Sequence, residues 1–153
     1  MERIPLRHRP SVTPAAAGAV AATVWALLEP VDQRLFGCDY SDIAVLGKWV
    51  TRGPAWRPLG FAMHAANGAL FGLAFDATRR SVGVSPQRLA VGLALLEHVS
   101  LYPLGAVLDR VHPAHGEVGV PTFWWNPRAF AQATFRHAVF GVVLGRLAGA
   151  VRP

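Results

Sequence analysis

Four long apolar stretches constrain the fold of this chain more than any other feature. A helix needs about 20 apolar residues to cross the roughly 30 Å of hydrocarbon in a bilayer. Stretches that approach this length lie at residues 12–28, 58–75, 89–108 and 129–151, and the second has no formally charged residue. The sequence therefore predicts an all-α membrane protein with four transmembrane helices in a single domain, residues 1–153.

The composition agrees with this prediction. Hydrophobic residues make up 52% of the chain and charged residues only 16%, whereas about 25% is usual for a globular domain. The net charge of +6 could suggest nucleic acid, but the Lys and Arg residues form no basic helix face and lie mostly in the connections. There they can contact anionic lipid headgroups. We expect membrane lipids, and no nucleic acid, as partners. A soluble bundle of amphipathic helices is the alternative, but the second stretch has no charged face to offer it.

The connections indicate an orientation. The first apolar stretch lacks a signal-peptidase site after Leu28, so we expect an uncleaved anchor. With the N-terminus inside, the inner connections hold more Lys and Arg than the outer ones, which predicts that both termini are cytoplasmic. In the first outer connection, Ser41 or Asp42 can cap a short helix that ends near Val50 and lies in the membrane surface. The pair Trp124–Trp125 predicts an aromatic anchor in the second.

A shift of 73 residues aligns the chain with itself. It places His137 on His64, Gly141 on Gly68 and Gly145 on Gly72, so that the second and fourth stretches share the pattern H-A-x-x-G-x-x-x-G. This predicts two repeated helical hairpins, at about 12–76 and 86–149. Because each hairpin returns to its starting side, the repeat predicts a pseudo-two-fold axis along the membrane normal.

The shared glycines predict helix packing. Residues four apart lie on one helix face, and small residues at this spacing let helix backbones approach closely in lipid. We therefore expect the second and fourth helices to cross tightly at the centre through Gly68, Gly72, Gly141 and Gly145, with the first and third helices outside them.

With its hairpins and glycine pattern, the chain resembles a group of small four-helix integral membrane proteins of bacteria that has no established activity. The likeness covers about residues 14–149. It rests on an Ala/Gly-rich first helix that ends in Glu29-Pro30-Val31-Asp32, on the segment from Ser41 to Val50, and on the His-bearing, Gly-rich second helix. The resemblance implies the topology and a bacterial cell membrane. It implies no chemistry.

Polar residues within the apolar stretches are the candidate functional residues, because ionisable groups are costly in hydrocarbon unless they are paired. The catalytic candidates are Glu97, His98, His64 and His137, and the binding candidates are Asn67 and Arg136. Similar depths predict an ion pair between Glu97 and Arg136. That pair would fix helix registry, or else handle protons or a substrate. Alternatively, Arg136 extends to the membrane surface alone.

The histidines allow several interpretations. His64 and His137 are expected to hydrogen-bond across the helix crossing. Haem ligation by both would need helices held apart, which the glycines oppose, so we expect no cofactor. The single cysteine, Cys38, excludes an intrachain disulfide. The loop from His112 to Glu117 is expected to be solvated, with metal binding as a weaker alternative, and we predict no metal site.

Three classes of function remain open. The favoured one is a structural or partner-binding membrane module, acting as a homo-oligomer or with another membrane protein. The second is a lipid- or quinone-linked enzyme that uses the Glu and His candidates as acid–base groups. The third is a small-solute transport subunit. The sequence does not decide whether the protein is an enzyme.

Overall fold

The computed structural model describes residues 12–149 and is all-α, as predicted. Within this range it contains six α-helices, one 3-10 helix and no strand. The α-helices are α1 (Pro14–Phe36), α2 (Asp42–Val50), α3 (Trp56–Arg79), α4 (Pro86–Leu101), α5 (Gly105–Val111) and α6 (Pro127–Gly149). The 3-10 helix Tyr102–Leu104, which contains Pro103, joins α4 to α5. The termini, whose side of the membrane was predicted, lie outside the described residues.

Local sequence signals set the helix boundaries. The Thr13 hydroxyl accepts a hydrogen bond from the Ala16 N–H, and α1 ends at Gly37, which has a left-handed conformation with φ of 59°. The Ser41 hydroxyl accepts from the Ala44 N–H, so the short helix predicted after Ser41 is present. Pro86 occupies the first turn of α4, where its missing N–H leaves no helix hydrogen bond unmade.

Within residues 12–149, two helical segments are long and apolar enough to cross a membrane, judged by length and composition. They are α1 and the continuous run Pro86–Val111, which comprises α4, the 3-10 turn and α5. Helices α3 and α6 have similar lengths, 24 and 23 residues. Both carry polar residues within the bundle, such as His64 and Arg136, and exposed arginines such as Arg57 and Arg146, and they are not among the segments apolar enough to cross.

The helix faces that carry the glycines pack against different helices from those predicted. A Cβ added to Gly18 of α1 would collide with the Gly68 carbonyl of α3, and one added to Gly72 would collide with the Pro14 carbonyl. In the second pair of helices, a Cβ on Gly141 would lie 2.6 Å from Cα of Val91. The glycine-bearing faces thus join α1 to α3 and α4 to α6. The predicted tight crossing of α3 with α6 is wrong.

The position of the aromatic residues gives the physical reason for this difference. The closest backbone approaches form within each hairpin, where both helices offer small residues. The contact between the hairpins is made instead by α1 against α6. It contains Trp25 and Phe140, whose ring centroids are 6.2 Å apart. The buried core follows this contact and includes Ala17, Ala21, Ala22, Trp25, Phe75, Ala90, Ala94, Phe140 and Leu144.

The α1–α3 packing predicts that Gly18→Ala lowers the free energy of unfolding in mild detergent by about 1–3 kcal/mol, because the added methyl group must displace the α3 backbone. Gly92→Ala is the matched control. Nothing lies within 4 Å of a Cβ at Gly92, so this variant should be neutral or stabilised by up to about 1 kcal/mol through helix propensity. Equal unfolding midpoints for the two variants would contradict the packing.

Candidate functional site

A buried arginine organises one end of the helix bundle. Arg136 of α6 is only 1% exposed, and its guanidinium donates to both carboxylate oxygens of Asp32, from Nε at 2.6 Å and from Nη2 at 2.5 Å. It also donates to Asp42 Oδ2 at 3.0 Å and to the Tyr40 carbonyl at 2.9 Å. This bidentate geometry is the strongest form of arginine–carboxylate pairing.

The ion pair predicted between Arg136 and Glu97 is therefore wrong. Arg136 points toward α1 and α2, whereas Glu97 lies on α4 beside His137. The reason is the length of α1. This helix continues through Pro30 to Phe36, and so it carries Glu29 and Asp32 into the bundle. The sequence had placed these two carboxylates in the connection after the first apolar stretch.

Asp42 is the second hub of this network. One of its carboxylate oxygens accepts the Tyr40 hydroxyl at 2.5 Å, and the other accepts both Arg136 and the Trp25 indole N–H, the latter at 2.9 Å. Burial acts to raise the pKa of Asp42, but Arg136 exerts the largest of several opposing effects, and the pKa lies below its ordinary value of 3.8. Burial and Asp42 raise the pKa of Tyr40 well above 10.0, so its phenol stays protonated and donates.

The hydrogen bonds of the network are made among its own members, which gives it a structural role. Glu29 accepts from the Ser41 hydroxyl at 2.7 Å and from the Asp42 N–H at 3.0 Å, which ties α1 to the start of α2. Gln132 donates to Asp32 at 2.6 Å. Asp32 and Arg136 are 0% and 1% exposed, so the ionic groups bind one another and fix the register of α1, α2 and α6.

A cavity of about 370 Å³ lies beside this network, between α3 and α4. Its lining contains every predicted catalytic candidate, together with Asn67: His64 and Asn67 from α3, Glu97 and His98 from α4, and His137 from α6. The exposed residues Asn67, Glu97 and Leu101 mark its mouth. The candidates that the sequence singled out are thus brought to one place, with Arg136 outside it.

The imidazoles surround one indole. Trp25 contacts His64 with ring centroids 5.2 Å apart and His137 with centroids 4.6 Å apart. His98 stacks on His137 at 4.8 Å. Helices α3 and α6 do not cross closely, so the hydrogen bonds expected from these histidines across that crossing are absent among the described contacts, and Trp25 packs against both rings. His64 Nε2 donates instead to the Ala22 carbonyl at 3.1 Å, and His137 Nδ1 to the Ala133 carbonyl at 2.7 Å.

Glu97 is the exposed acidic group of the cavity, and Asp42 is the other carboxylate in its lining. Oε2 of Glu97 lies 4.0 Å from Nε2 of His137, and the Glu97 side chain is 43% exposed. Within residues 12–149, no group of three or more His, Cys, Asp or Glu side chains has a geometry that could hold a metal ion. The cavity therefore offers acid–base and hydrogen-bonding groups rather than a ligand set for a metal.

The loop from His112 to Glu117 is not simply solvated. His112 is buried, its Nε2 donates to the Val45 carbonyl at 2.9 Å, and its Nδ1 accepts from the Ala114 N–H at 3.1 Å. Glu117 forms ion pairs with Lys48 and Arg52. Both nitrogens of His112 are thus used in attaching the loop to α2, which leaves neither free for a metal.

Sequence reasoning missed Trp25, Asp32, Tyr40 and Asp42. For Trp25 a signal existed, because the 73-residue shift places His98 on Trp25, and these are the aromatic residues that contact His137 and His64 respectively. For the others, the chain gives no periodic pattern that links them to Arg136.

No protein-family model, curated protein or solved structure matches this chain. The functional argument therefore proceeds from the geometry of the site.

The Arg136 network predicts that Arg136→Met lowers the free energy of unfolding by about 3–5 kcal/mol, because Asp32 and Asp42 lose their counterion while remaining buried. Arg128→Met is the matched control. Arg128 is exposed and reaches only the Gly37 carbonyl, at 3.5 Å, so its loss should change stability by less than about 0.5 kcal/mol. Denaturant unfolding in mild detergent measures both, and a loss for Arg136→Met no larger than the control's would refute the structural role.

Proposed function

We propose that this protein crosses a membrane four times and binds one small amphipathic molecule in the cavity between α3 and α4. The cavity carries this proposal, because it combines apolar walls with a cluster of imidazole and carboxyl groups. Its volume of about 370 Å³ is within the usual range for small-ligand sites, roughly 300–1,000 Å³.

The distribution of side chains supports four crossings. Charged groups such as Arg136 and Asp32 are buried, while large apolar side chains on the same bundle point outward. Those at least half exposed include Leu27, Val31 and Leu35 on α1, Leu70 and Leu73 on α3, and Leu96, Val99, Leu104, Val107 and Val111 along the α4–α5 run. In water this arrangement would be unfavourable, whereas in lipid it is the expected one. At 1.5 Å per residue, α3 and α6 are each about 35 Å long, enough to cross.

Equivalent contacts support a tandem repeat. The 73-residue shift relates Gly68 to Gly141, and it also relates their packing partners Gly18 and Val91. In the same way, the contact of Trp25 with His64 corresponds to that of His98 with His137. Two hairpins at about 12–76 and 86–149, related by an axis along the membrane normal, account for both correspondences.

The proposed location is a bacterial cell membrane, with cytoplasmic termini. Four crossings put the connection between α3 and α4 on the side of the termini, and put α2 and the loop before α6 on the outer side. The cavity then lies on the outer side of the membrane centre and opens toward lipid between α3 and α4. A molecule with an apolar tail could enter it from the bilayer.

Two roles follow for the bound molecule. The acid–base groups Glu97, His98, His64 and His137 support a lipid- or quinone-linked enzyme, in which the bound molecule is a substrate. The Arg136 network supports the second candidate, a structural or partner-binding module, in which a bound lipid fills a space between helices. Both roles need the cavity to be occupied by an amphiphile.

Cysteine labelling tests the four crossings. On a Cys38→Ser background, Gly83→Cys in the α3–α4 connection should be labelled by a membrane-impermeant maleimide only after the cells are opened. Val118→Cys in the loop before α6, where the side chain is 81% exposed, should be labelled in intact cells. Labelling of both positions from the same side would contradict the single crossing that the topology places between them.

Native mass spectrometry of the protein extracted in mild detergent tests the cavity. We expect one retained amphiphile per chain in the wild-type protein. Leu101→Trp should lower the fraction of chains that retain it by at least about tenfold, because the indole would fill the mouth of the cavity. Val99→Trp is the matched control, since Val99 lies on the same helix and is similarly exposed but does not line the cavity. An unoccupied wild-type protein, or equal occupancy in both variants, would overturn the binding proposal.

A further inference from the structure

The backbone carbonyls determine where the imidazole protons of the cavity lie. A carbonyl oxygen only accepts hydrogen bonds, so a neutral histidine that bonds to one must carry its proton on the bonded nitrogen. His64 therefore holds its proton on Nε2, which donates to Ala22, and His137 holds its proton on Nδ1, which donates to Ala133. The other nitrogen of each ring, Nδ1 of His64 and Nε2 of His137, is a bare acceptor.

These two bare nitrogens open into the cavity. Among the described residues, the only buried side-chain nitrogen or oxygen without a hydrogen-bond partner is Oε1 of Gln132. His64 and His137 line the cavity, and their bare nitrogens have no hydrogen-bond partner in the described part of the chain. Neither nitrogen is among the enclosed unpartnered atoms, and both rings line the cavity, which makes the cavity the space in which a ligand can reach them.

Besides His64 and His137, the lining contains the polar residues Tyr40, Asp42, Asn67, Glu97, His98 and Tyr102. The Tyr102 hydroxyl accepts from the Trp125 N–H and retains its proton as a donor, and His98 Nε2 bonds to the Thr134 hydroxyl. The Tyr40 hydroxyl proton is used by Asp42, and both carboxylate oxygens of Asp42 are already occupied by donors. Glu97 faces Nε2 of His137 at 4.0 Å, so that an ionised Glu97 and a neutral His137 present two acceptors to each other. Asn67 supplies an amide at the mouth. The described lining contains no Lys or Arg, which disfavours a phosphate headgroup.

We propose that the occupant is an amphiphile whose uncharged head donates hydrogen bonds through hydroxyl groups, with His137 Nε2 and His64 Nδ1 as the acceptors. This inference rests on the proposed function, since it names the class of molecule that the same cavity binds. Two sources share the chemistry: a lipid alcohol, such as a glyceride, and a quinol. An oxidised quinone offers only acceptors and leaves both nitrogens unpaired, at a cost to its binding.

Two matched pairs of probes test this inference on delipidated protein in detergent. The first pair is decyl hydroquinone, kept reduced, and decyl benzoquinone, which has the same size and tail but no hydroxyl. The second is 1-dodecylglycerol and its dimethyl ether. We expect the hydroxyl form of at least one pair to bind about tenfold or more tightly than its partner, as measured by thermal shift and by microscale titration. The pair with the larger ratio identifies the source.

A variant connects this preference to one atom. His137→Phe keeps an aromatic ring against Trp25 but removes Nε2, so the preference for the hydroxyl form should fall by about fivefold or more while the capped form binds as before. His115→Phe, in the loop outside the cavity, is the control and should keep the full preference. Because the wild-type comparison needs no substitution, a folding defect in His137→Phe would not remove the test.

The outcomes distinguish the hydroxyl headgroup from the proposed amphiphile binding on which it rests. Equal affinity within both pairs, or tighter binding of the capped forms, would overturn the hydroxyl headgroup and leave amphiphile binding in place. If none of the four probes binds and the extracted protein also carries no amphiphile, the proposed function itself fails.

Discussion

The buried pair between Arg136 and Asp32 is the interaction on which the rest of this structure depends. An arginine in the interior is tolerated only when its hydrogen-bond donors are occupied, and here two carboxylates and the Tyr40 carbonyl occupy them. The pair connects helices far apart in sequence and determines how α6 rotates about its own axis. Once that rotation is set, His137, one residue later, must face the cavity. The position of the candidate site thus follows from the ion pair.

Asp42 and Trp25 separate two polar regions of opposite character. On one side, the Arg136 network is nearly saturated, with Gln132 Oε1 as its one unpartnered atom in the described range. On the other side, the imidazoles retain free acceptors that open into a cavity. When all hydrogen bonds of a network are made within the protein, its groups gain no further hydrogen bond from a ligand. Such a network contributes to the stability of the fold. Acceptors without a donor in an accessible cavity gain a hydrogen bond when a ligand supplies the donor. This contrast assigns structure to the network and binding to the cavity.

The sequence was sufficient for the helices and for five of the polar residues that line the cavity, but not for the pairing of helices. Apolar length, the Ser41 cap and the proline positions are local signals, and each of them corresponds to an element of the structure. The histidines and Glu97 stood out because ionisable residues are rare in apolar stretches. Depth along a helix can be counted from residue numbers, whereas rotation about the helix axis cannot. For this reason Arg136 was matched with Glu97 at a similar depth, and the glycine faces of α3 and α6 were matched with each other.

The proposed repeat explains why the cavity lies where it does. Under a two-fold axis that exchanges α1 with α4 and α3 with α6, the contact between α1 and α6 corresponds to the one between α3 and α4. The first of these is closely packed and the second is open. The 73-residue shift relates Asp32 to Gly105 and Arg136 to Met63, so the ion pair that closes the first interface has no counterpart at the second. Histidines occur in both halves, whereas the ion pair joins α1 of the first half to α6 of the second and has no symmetry-related copy. Under the proposed repeat, a single ion pair closes one of two equivalent interfaces, and the other interface holds the cavity, with an imidazole from each half in its wall.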